Sequence, residues 1–311
     1  MRIVFWGSSD FSLPSLARIA REGWLVGVVT NPDKPYGRGM HDIHKTPVKL
    51  WAENHKVPCL QPEKLKEESF LTSLLSLKAD LFVVVSYGRI LPPVILTIPP
   101  LGCINLHASL LPKYRGASPI QAAILHGERE TGNTVQYMSE KLDSGDIILQ
   151  SRLPIEPTDT YPSLAQKLSL DGAELLVQVI EKLMSGNAPR IPQDHNQATY
   201  APLIKREDGY VDFASLSAEE IERRFRAYTP WPGIFTTYHQ SKTPFLVHFT
   251  DIEKENRSGQ KGIILQADKN ALVVACKEHS LRLWRLKPAG KKEIDHIGFI
   301  NGYRPVVGKP F

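Results

Sequence analysis

The sequence predicts an α/β protein: a mostly parallel sheet domain followed by a smaller domain of short strands closed, or partly closed, into a β-barrel. Three observations carry this expectation. Over the first 150 residues short apolar runs alternate with helical patterns, as βαβ units require. From Gly186 to Arg206 the periodicity lapses into a stretch containing Pro, Asn and Gln, the composition of an interdomain linker. Beyond it the pattern changes to short runs rich in β-branched residues with turn signals between them. At 311 residues the chain exceeds the usual size of one domain. The expected division is a first domain over 1–188, a linker over 189–206 and a C-terminal domain over 207–311.

In the first domain, strands are expected over residues 2–6, 25–30, 81–86, 103–107 and 134–138; their near-continuous apolar character suits strands covered on both faces. Ser118-Pro119 opens a helix, with serine as N-cap and proline in the first turn, and Gly127 closes it. A longer helix spans 162–184, placing Leu175, Leu176, Val179, Ile180 and Leu183 on one face before a Gly186-Asn187 stop. In the C-terminal part, Ser217 and Glu220 form a capping box that starts a helix running to Ala227. Five strands follow, over 235–238, 245–249, 262–267, 271–276 and 281–286.

Composition narrows the classes. Hydrophobic residues make up 42% and charged residues 23%, and no apolar run nears the roughly 20 residues that span a bilayer. The opening residues, Met1 to Gly7, read as a strand rather than a leader, so a cytoplasmic protein is expected. Three widely spaced cysteines, Cys59, Cys103 and Cys276, without a C-x-x-C pair, read as reduced, mostly buried thiols. His41 and His44 lie in a loop with no third ligand in view, so no metal is expected. Residues 205–311 carry 18 Lys and Arg against 13 Asp and Glu, which accounts for the whole net charge of +5. A basic module beside a neutral one suits a polyanion, because neutralising phosphates supplies sequence-independent affinity.

Ligands of open α/β sheets bind beyond the carboxyl ends of the strands. The first strand runs into Gly7-Ser8-Ser9-Asp10-Phe11, which is not G-x-G-x-x-G, and the second into Thr30-Asn31 with no acidic ribose partner, so a dinucleotide is disfavoured. The strand over 103–107 ends in polar residues instead. Asn105 and His107, two apart, share a face and could together donate to one oxygen, as an oxyanion site needs. From the residues alone, the alternative that both satisfy loop backbone stays open.

Asn105-Leu106-His107-Ala108-Ser109-Leu110-Leu111-Pro112, then Arg115-Gly116, then Asp143-Ser144-Gly145-Asp146, resembles the signature of the folate-dependent formyltransferases. The likeness extends along the chain to the branch of that family acting on methionyl-tRNA. It takes in Ser86-Tyr87-Gly88-Arg89-Ile90-Leu91-Pro92, Thr199-Tyr200-Ala201-Pro202 with Glu207-Asp208-Gly209, Trp231-Pro232-Gly233, and Lys287-Pro288-Ala289-Gly290-Lys291-Lys292. The resemblance implies a Rossmann-like domain followed by an OB-like β-barrel domain that binds tRNA. It implies 10-formyltetrahydrofolate as co-substrate and Asn105, His107 and Asp143 as catalytic residues. Tyr87, Gly88, Ser109, Leu110, Leu111 and Pro112 would contact the folate. Asn105 and His107 would serve as oxyanion donors, and Asp143 would orient the imidazole. Which group first takes the amine proton is left open. Lys113 and Arg115 would hold the folate tail or a tRNA phosphate, with a structural role for Arg115-Gly116 as the equal alternative. Asp146 would support loop backbone, and His126 helix-end carbonyls.

The loop over 31–47 is too long and polar to be a simple connector. In the family an insertion here enters the acceptor stem of tRNA, which makes Arg38, within Gly37-Arg38-Gly39, the residue implied to select the initiator. The sequence departs from the family's lysine-rich run after the glycine, carrying Met40-His41-Asp42, which leaves the number of phosphate contacts in question. The implied reaction is formylation of the α-amino group of initiator methionyl-tRNA by a monomer. A sugar-nucleotide N-formyltransferase is the alternative, sharing the catalytic trio without needing a basic barrel. A tRNA-binding module without catalysis would leave the trio unexplained, and a hydrolase releasing formate would leave the C-terminal third without purpose.

Overall fold

The protein is described by a computed structural model over residues 1–36 and 42–311. In chain order the first part contains β1 (Ile3–Gly7), α1 (Leu13–Arg21), β2 (Leu25–Val29), β3 (Lys34–Tyr36), β4 (Asp42–His44), α2 (Pro47–His55), β5 (Cys59–Leu60), α3 (Glu68–Ser76), β6 (Leu81–Val85), α4 (Pro93–Leu96) and β7 (Cys103–His107). It continues with β8 (Arg115–Gly116), α5 (Pro119–Leu125), β9 (Glu130–Tyr137), β10 (Ile147–Pro154), α6 (Tyr161–Met184) and β11 (Tyr200–Ala201). The second part contains α7 (Ala218–Tyr228), β12 (Ile234–Tyr238), β13 (Phe245–Glu255), β14 (Ile264–Ala267), β15 (Leu272–Ala275), β16 (Ser280–Pro288), β17 (Ile294–Asp295) and α8 (His296–Tyr303). Among the described residues no helix is long and apolar enough to cross a membrane.

Two compact units result. Met1–Ile120, Arg129–Ile155 and Ser163–Pro202 form the first; Gln121–Glu128, Glu156–Pro162 and Leu203–Phe311 form the second. The first unit holds a seven-stranded sheet in the order β10-β9-β7-β6-β1-β2-β5. β7, β6, β1, β2 and β5 run parallel, while β9 and β10 are antiparallel additions. This is the Rossmann-like, mostly parallel sheet expected. Alternating residues feed two cores: Ile3, Phe5, Leu81, Val83, Ile104 and Leu106 pack on one side with Leu176, Val179 and Ile180 of α6. Val4, Trp6, Phe82, Val84 and Cys103 pack on the other with Phe70 and Leu74 of α3.

In β7 the second face carries Cys103, then Asn105, then His107. Apolar packing therefore gives way to polar groups where the strand ends. β6 stops at Val85, opposite Leu106, so His107 projects beyond its parallel neighbour. On the opposite face, Leu106 lies against α6 at Gly172, where a Cβ would stand 2.6 Å from Leu106 Cδ2. Glycine inside a helix costs about 1 kcal/mol relative to alanine. Here that loss allows α6 to approach the strand carrying Asn105 and His107.

In the second unit the capping box forms as the sequence predicts. Ser217 Oγ accepts from the Glu220 amide at 3.1 Å, and the Glu220 carboxylate accepts from the Ser217 amide at 2.7 Å. The sheet is antiparallel throughout, in the order β12-β13-β16-β15-β14 with β17 on β16. Residues 308–311 link its two edges. Ile264 donates to Lys309 O at 2.9 Å, the Gly308 amide to Ile264 O at 2.9 Å, and the His239 amide to Phe311 O at 3.0 Å. The Phe311 ring lies between Phe299, Tyr238 and Phe249. Closure of the expected barrel is thus completed by a tail segment.

The Gly172→Ala substitution gains helix propensity but drives a methyl into Leu106, and overpacking of this kind costs about 1–3 kcal/mol. A fall in the urea midpoint of the first unit is expected, and an unchanged or raised midpoint would mean that the helix has room to spare.

Candidate active site

Asn105 pairs in register with Val84 of β6 and Gln136 of β9, which fixes its direction at the sheet's carboxyl end. Its side chain is half-buried and has no hydrogen bond among the described residues, leaving both amide hydrogens for an incoming oxygen. His107 is 6% exposed, and its two ring nitrogens have different tasks. Nε2 lies 2.9 Å from the carbonyl of Tyr114, so it must carry the hydrogen. Nδ1 lies 3.6 Å from Asp143 Oδ2. In the neutral ring that leaves the Nδ1 lone pair facing the carboxylate side, ready to take a proton. The donor role expected of the His107 ring is therefore confined to Nδ1, and to its protonated form.

Asp143 is held from several directions. Its Oδ2 accepts from the Gly116 amide at 2.8 Å, and Oδ1 from Gln136 Nε2 at 3.3 Å. Asp143 has φ +46° and Tyr114 φ +60°. Left-handed backbone costs non-glycine residues roughly 1–2 kcal/mol, so both turns depend on the surrounding bonds. Gly116 combines φ +119° with a site where a Cβ would stand 2.5 Å from Ala201 O. Only glycine brings its amide to the Asp143 carboxylate in that space.

The loop after β7 is folded by its own polar groups. Ser109 Oγ donates to Lys113 O at 2.6 Å, and Thr134 Oγ1 donates to Ser109 O at 2.6 Å. Gln150 Nε2 donates to Leu111 O at 3.0 Å. Of the six residues expected to contact folate, Ser109, Leu111 and Tyr87 are buried. Leu110 and Pro112 are half-buried, and Gly88 is exposed. The Tyr87 ring is part of the apolar core, edge-on to Trp6 at 5.3 Å. Its carbonyl faces the polar end of the sheet and accepts from Asn31 Nδ2 at 2.7 Å. Ser86, at φ +51°, shares a hydrogen bond with Ser9 at 2.8 Å.

Other expected residues sit as follows. Arg115 is buried: its Nε and Nη2 donate to Gln193 Oε1 at 3.2 and 2.7 Å, and Nη2 also reaches His195 Nδ1 at 2.9 Å. Of the two readings of Arg115, these contacts favour the structural one. Asp146 faces Arg190 at 3.7 Å. His126 Nδ1 lies 2.8 Å from the Ala122 carbonyl, as expected of a helix-end histidine. Arg38, with Gly37 and Gly39, lies outside the described residues; β3 and β4 flank it as an antiparallel pair with Lys34 opposite His44. Sequence reasoning missed Gln136 and Gln193. Thr134 and Gln136 alternate with Val135 and Tyr137 at the end of β9, beside the polar end of β7, and that alternation is the signal that could have exposed Gln136.

These features, two polar residues on the end of a parallel-sheet strand backed by a carboxylate, sit in a chain whose residues 1–180 match the Formyl transferase family and whose residues 203–304 match the Formyl transferase, C-terminal domain family. The chain belongs to the formyl transferase family. It is 42% identical to the methionyl-tRNA formyltransferase of Carboxydothermus hydrogenoformans, covering 100% of this chain and 99% of that one. It is 45% identical to the enzyme of the same name from Koribacter versatilis, over 98% and 96% of the two chains. Among solved structures, an N-formyltransferase from Helicobacter canadensis in complex with folinic acid and dTDP-3-aminofucose aligns at TM-score 0.65 and 17% identity, covering 91% and 98%. HypX from Aquifex aeolicus in complex with tetrahydrofolic acid aligns at TM-score 0.65 and 17% identity over 99% of this chain and 48% of its own. At that identity the two structures speak to fold alone.

Burial pushes the Cys103 and Cys276 thiols up to about 12 and Cys59 up to about 11. At pH 8 roughly one Cys59 in a thousand would be thiolate, and roughly ten times fewer of the others. Iodoacetamide applied to the folded protein at pH 8 should alkylate Cys59 slowly and leave the buried Cys103 and Cys276 all but untouched, with activity unchanged over the time that fully modifies a free thiol. Fast alkylation of one thiol, with loss of turnover, would reveal a reactive cysteine that these environments do not provide.

Proposed function

We propose that this chain transfers the formyl group of 10-formyltetrahydrofolate to the α-amino group of methionyl initiator tRNA, for translation initiation in the cytoplasm, and does so as a monomer. The observation that carries the reading is the His107–Asp143 pair beside the uncommitted amide of Asn105, in a chain that matches methionyl-tRNA formyltransferases along its whole length. Residues 1–188 would form the catalytic domain, 189–206 the linker, and 207–311 the tRNA-binding OB-like barrel.

The folate supplies an activated formyl group. The chain must bind its oxygen, guide the amine and move one proton. The Asn105 amide would donate to the formyl oxygen; removing one oxyanion donor typically costs about 3–4 kcal/mol of transition-state stabilisation. With Nε2–H donated to the Tyr114 carbonyl, the His107 ring would accept the amine proton at Nδ1 as the amine bonds to the formyl carbon, Asp143 would stabilise the imidazolium, and the proton would pass to the tetrahydrofolate nitrogen as its bond to the formyl carbon breaks. An α-amino group with a pKa near about 8 is partly unprotonated at neutral pH, so no covalent nucleophile is needed. Gly88 and the half-buried Leu110 and Pro112 would line the folate pocket, with the buried Tyr87, Ser109 and Leu111 contributing backbone. The folate fits this chemistry, because Asn105 presents an unpaired donor where the formyl oxygen would lie.

Two basic features would serve the tRNA. Lys287, Lys291 and Lys292 are exposed and have no ion pair among the described residues, which suits phosphate contacts. Arg38, carried between β3 and β4, would select the initiator acceptor stem.

Formyl transfer to purified methionyl initiator tRNA, with methionyl elongator tRNA as control, should proceed selectively on the initiator. Turnover on an amino-sugar nucleotide, with none on either tRNA, would replace the acceptor while keeping the catalytic trio. Alanine at Asn105, His107 or Asp143 should lower turnover by about a hundredfold or more with the fold retained, the scale of a lost oxyanion donor. The Arg38→Ala variant should lose initiator turnover while folate binding is unchanged. A folate defect in its place would move Arg38 out of the tRNA contact.

A further inference from the structure

Between Leu183 and Ala201, Gln193 is the single buried residue among the described residues, at 7% exposure. It lies between the two stretches that match the formyl transferase family, 1–180 and 203–304. Its side-chain amide is used on both ends. Nε2 approaches three acceptors: Gly145 O at 2.7 Å, Asp143 O at 3.0 Å and Gln136 Oε1 at 3.2 Å. Oε1 accepts from Arg115 Nη2 at 2.7 Å and Nε at 3.2 Å.

The direction of these bonds is informative. The Nε2 group meets acceptors only, and the Oε1 meets donors only, so the amide has one orientation. By donating to Gln136 Oε1 it also fixes the Gln136 amide, whose Nε2 then faces Asp143 Oδ1 at 3.3 Å. Gln193 therefore reaches Asp143 by two routes: directly through the backbone carbonyls of Asp143 and Gly145, and indirectly through Gln136 to the carboxylate. Arg115, buried and without a carboxylate partner among the described residues, is neighbour to Gly116, whose amide binds the other oxygen of Asp143. One side chain thus touches Gln136, the Asp143 turn and the residue before Gly116, around the carboxylate that faces His107 Nδ1.

We propose that Gln193 is a positioning residue for formyl transfer: its amide donors hold the Asp143 loop in its left-handed turn and so keep the carboxylate against His107. The inference rests on the formyl-transfer reading for its kinetic arm only. Gln193 does not touch substrate, so its loss acts on turnover rather than on binding of either substrate. Misplacement of a catalytic group by about 1 Å can cost on the order of a hundredfold in rate.

The test uses the full chain with two variants, Gln193→Ala and Gln193→Glu. The glutamate keeps the shape and the acceptor for Arg115 but places a carboxylate oxygen where three acceptors need a donor. If the donors position Asp143, both variants lose about ten- to a hundredfold in kcat with KM for both substrates within about threefold. The nitrogen NMR signal of His107 Nδ1 shifts in both, measured without substrate. Wild-type turnover in the glutamate variant would reduce Gln193 to an anchor for Arg115 and overturn the proposal, as would an unmoved His107 signal in both variants. Should the alanine variant fail to fold, the glutamate variant alone decides. A wild-type protein that formylates no tRNA would sink the function while leaving the NMR result to judge Gln193.

Discussion

The position of one carboxylate, that of Asp143, conditions the whole site. It faces His107 Nδ1 across 3.6 Å with both side chains largely withdrawn from water. A buried charge of this kind persists only where hydrogen bonds replace its hydration. The fold meets that demand with parts drawn from distant stretches of sequence: an amide from Gly116 and a side chain from β9 reach the carboxylate, while a side chain from the 184–200 segment holds the backbone carbonyl of the same residue. Several otherwise costly features serve the same end. Positive φ at Tyr114 aims a carbonyl at His107, and the missing Cβ at Gly116 admits the Ala201 carbonyl alongside.

The sheet supplies the frame for that carboxylate. Because β7 alternates, Leu106 is buried against α6 while Asn105 and His107 turn to the opposite side. The glycine at 172 brings helix and strand together under Asn105 and His107. Apolar packing on one face and the polar candidate site on the other are thus tied to a single five-residue strand.

Much of this was legible in the sequence, for physical reasons. Interior strands covered on both faces are continuous apolar runs, so four of the five expected in the first unit fall within a residue or two of their observed bounds, and the fifth, 134–138, is the latter part of β9. The long amphipathic α6 and the capped α7 were equally visible. β10 was not, because as an edge strand it turns from buried Ile147 and Ile148 to exposed Arg152 and Pro154 and mixes Gln150, Ser151 and Arg152 with its apolar residues. β13 extends well past its expected end, since Asp251, Glu253 and Lys254 are exposed and hide the strand behind polar composition. The paired strands β3 and β4 are three residues each, with Pro35 in one, below the length at which a period can be read. In the site, Asn105, His107 and Asp143 are marked by their motif. Gln193 leaves no trace there: a glutamine in a polar stretch looks like any solvated residue until the fold buries it.

The edge bonds made by residues 308–311 have a bearing on how the second unit comes into being. β12 and β14 lie apart in the sheet, and the segment that connects their edges comes some seventy residues after β12. Contacts so remote along the chain are entropically expensive before they are made, and topologies rich in them fold slowly. Until that segment docks, two strand edges stand open as templates for a neighbouring chain. The unit's hazard therefore belongs to its youth rather than its native state: aggregation should compete with its final closing step, and any holdase would find its target there.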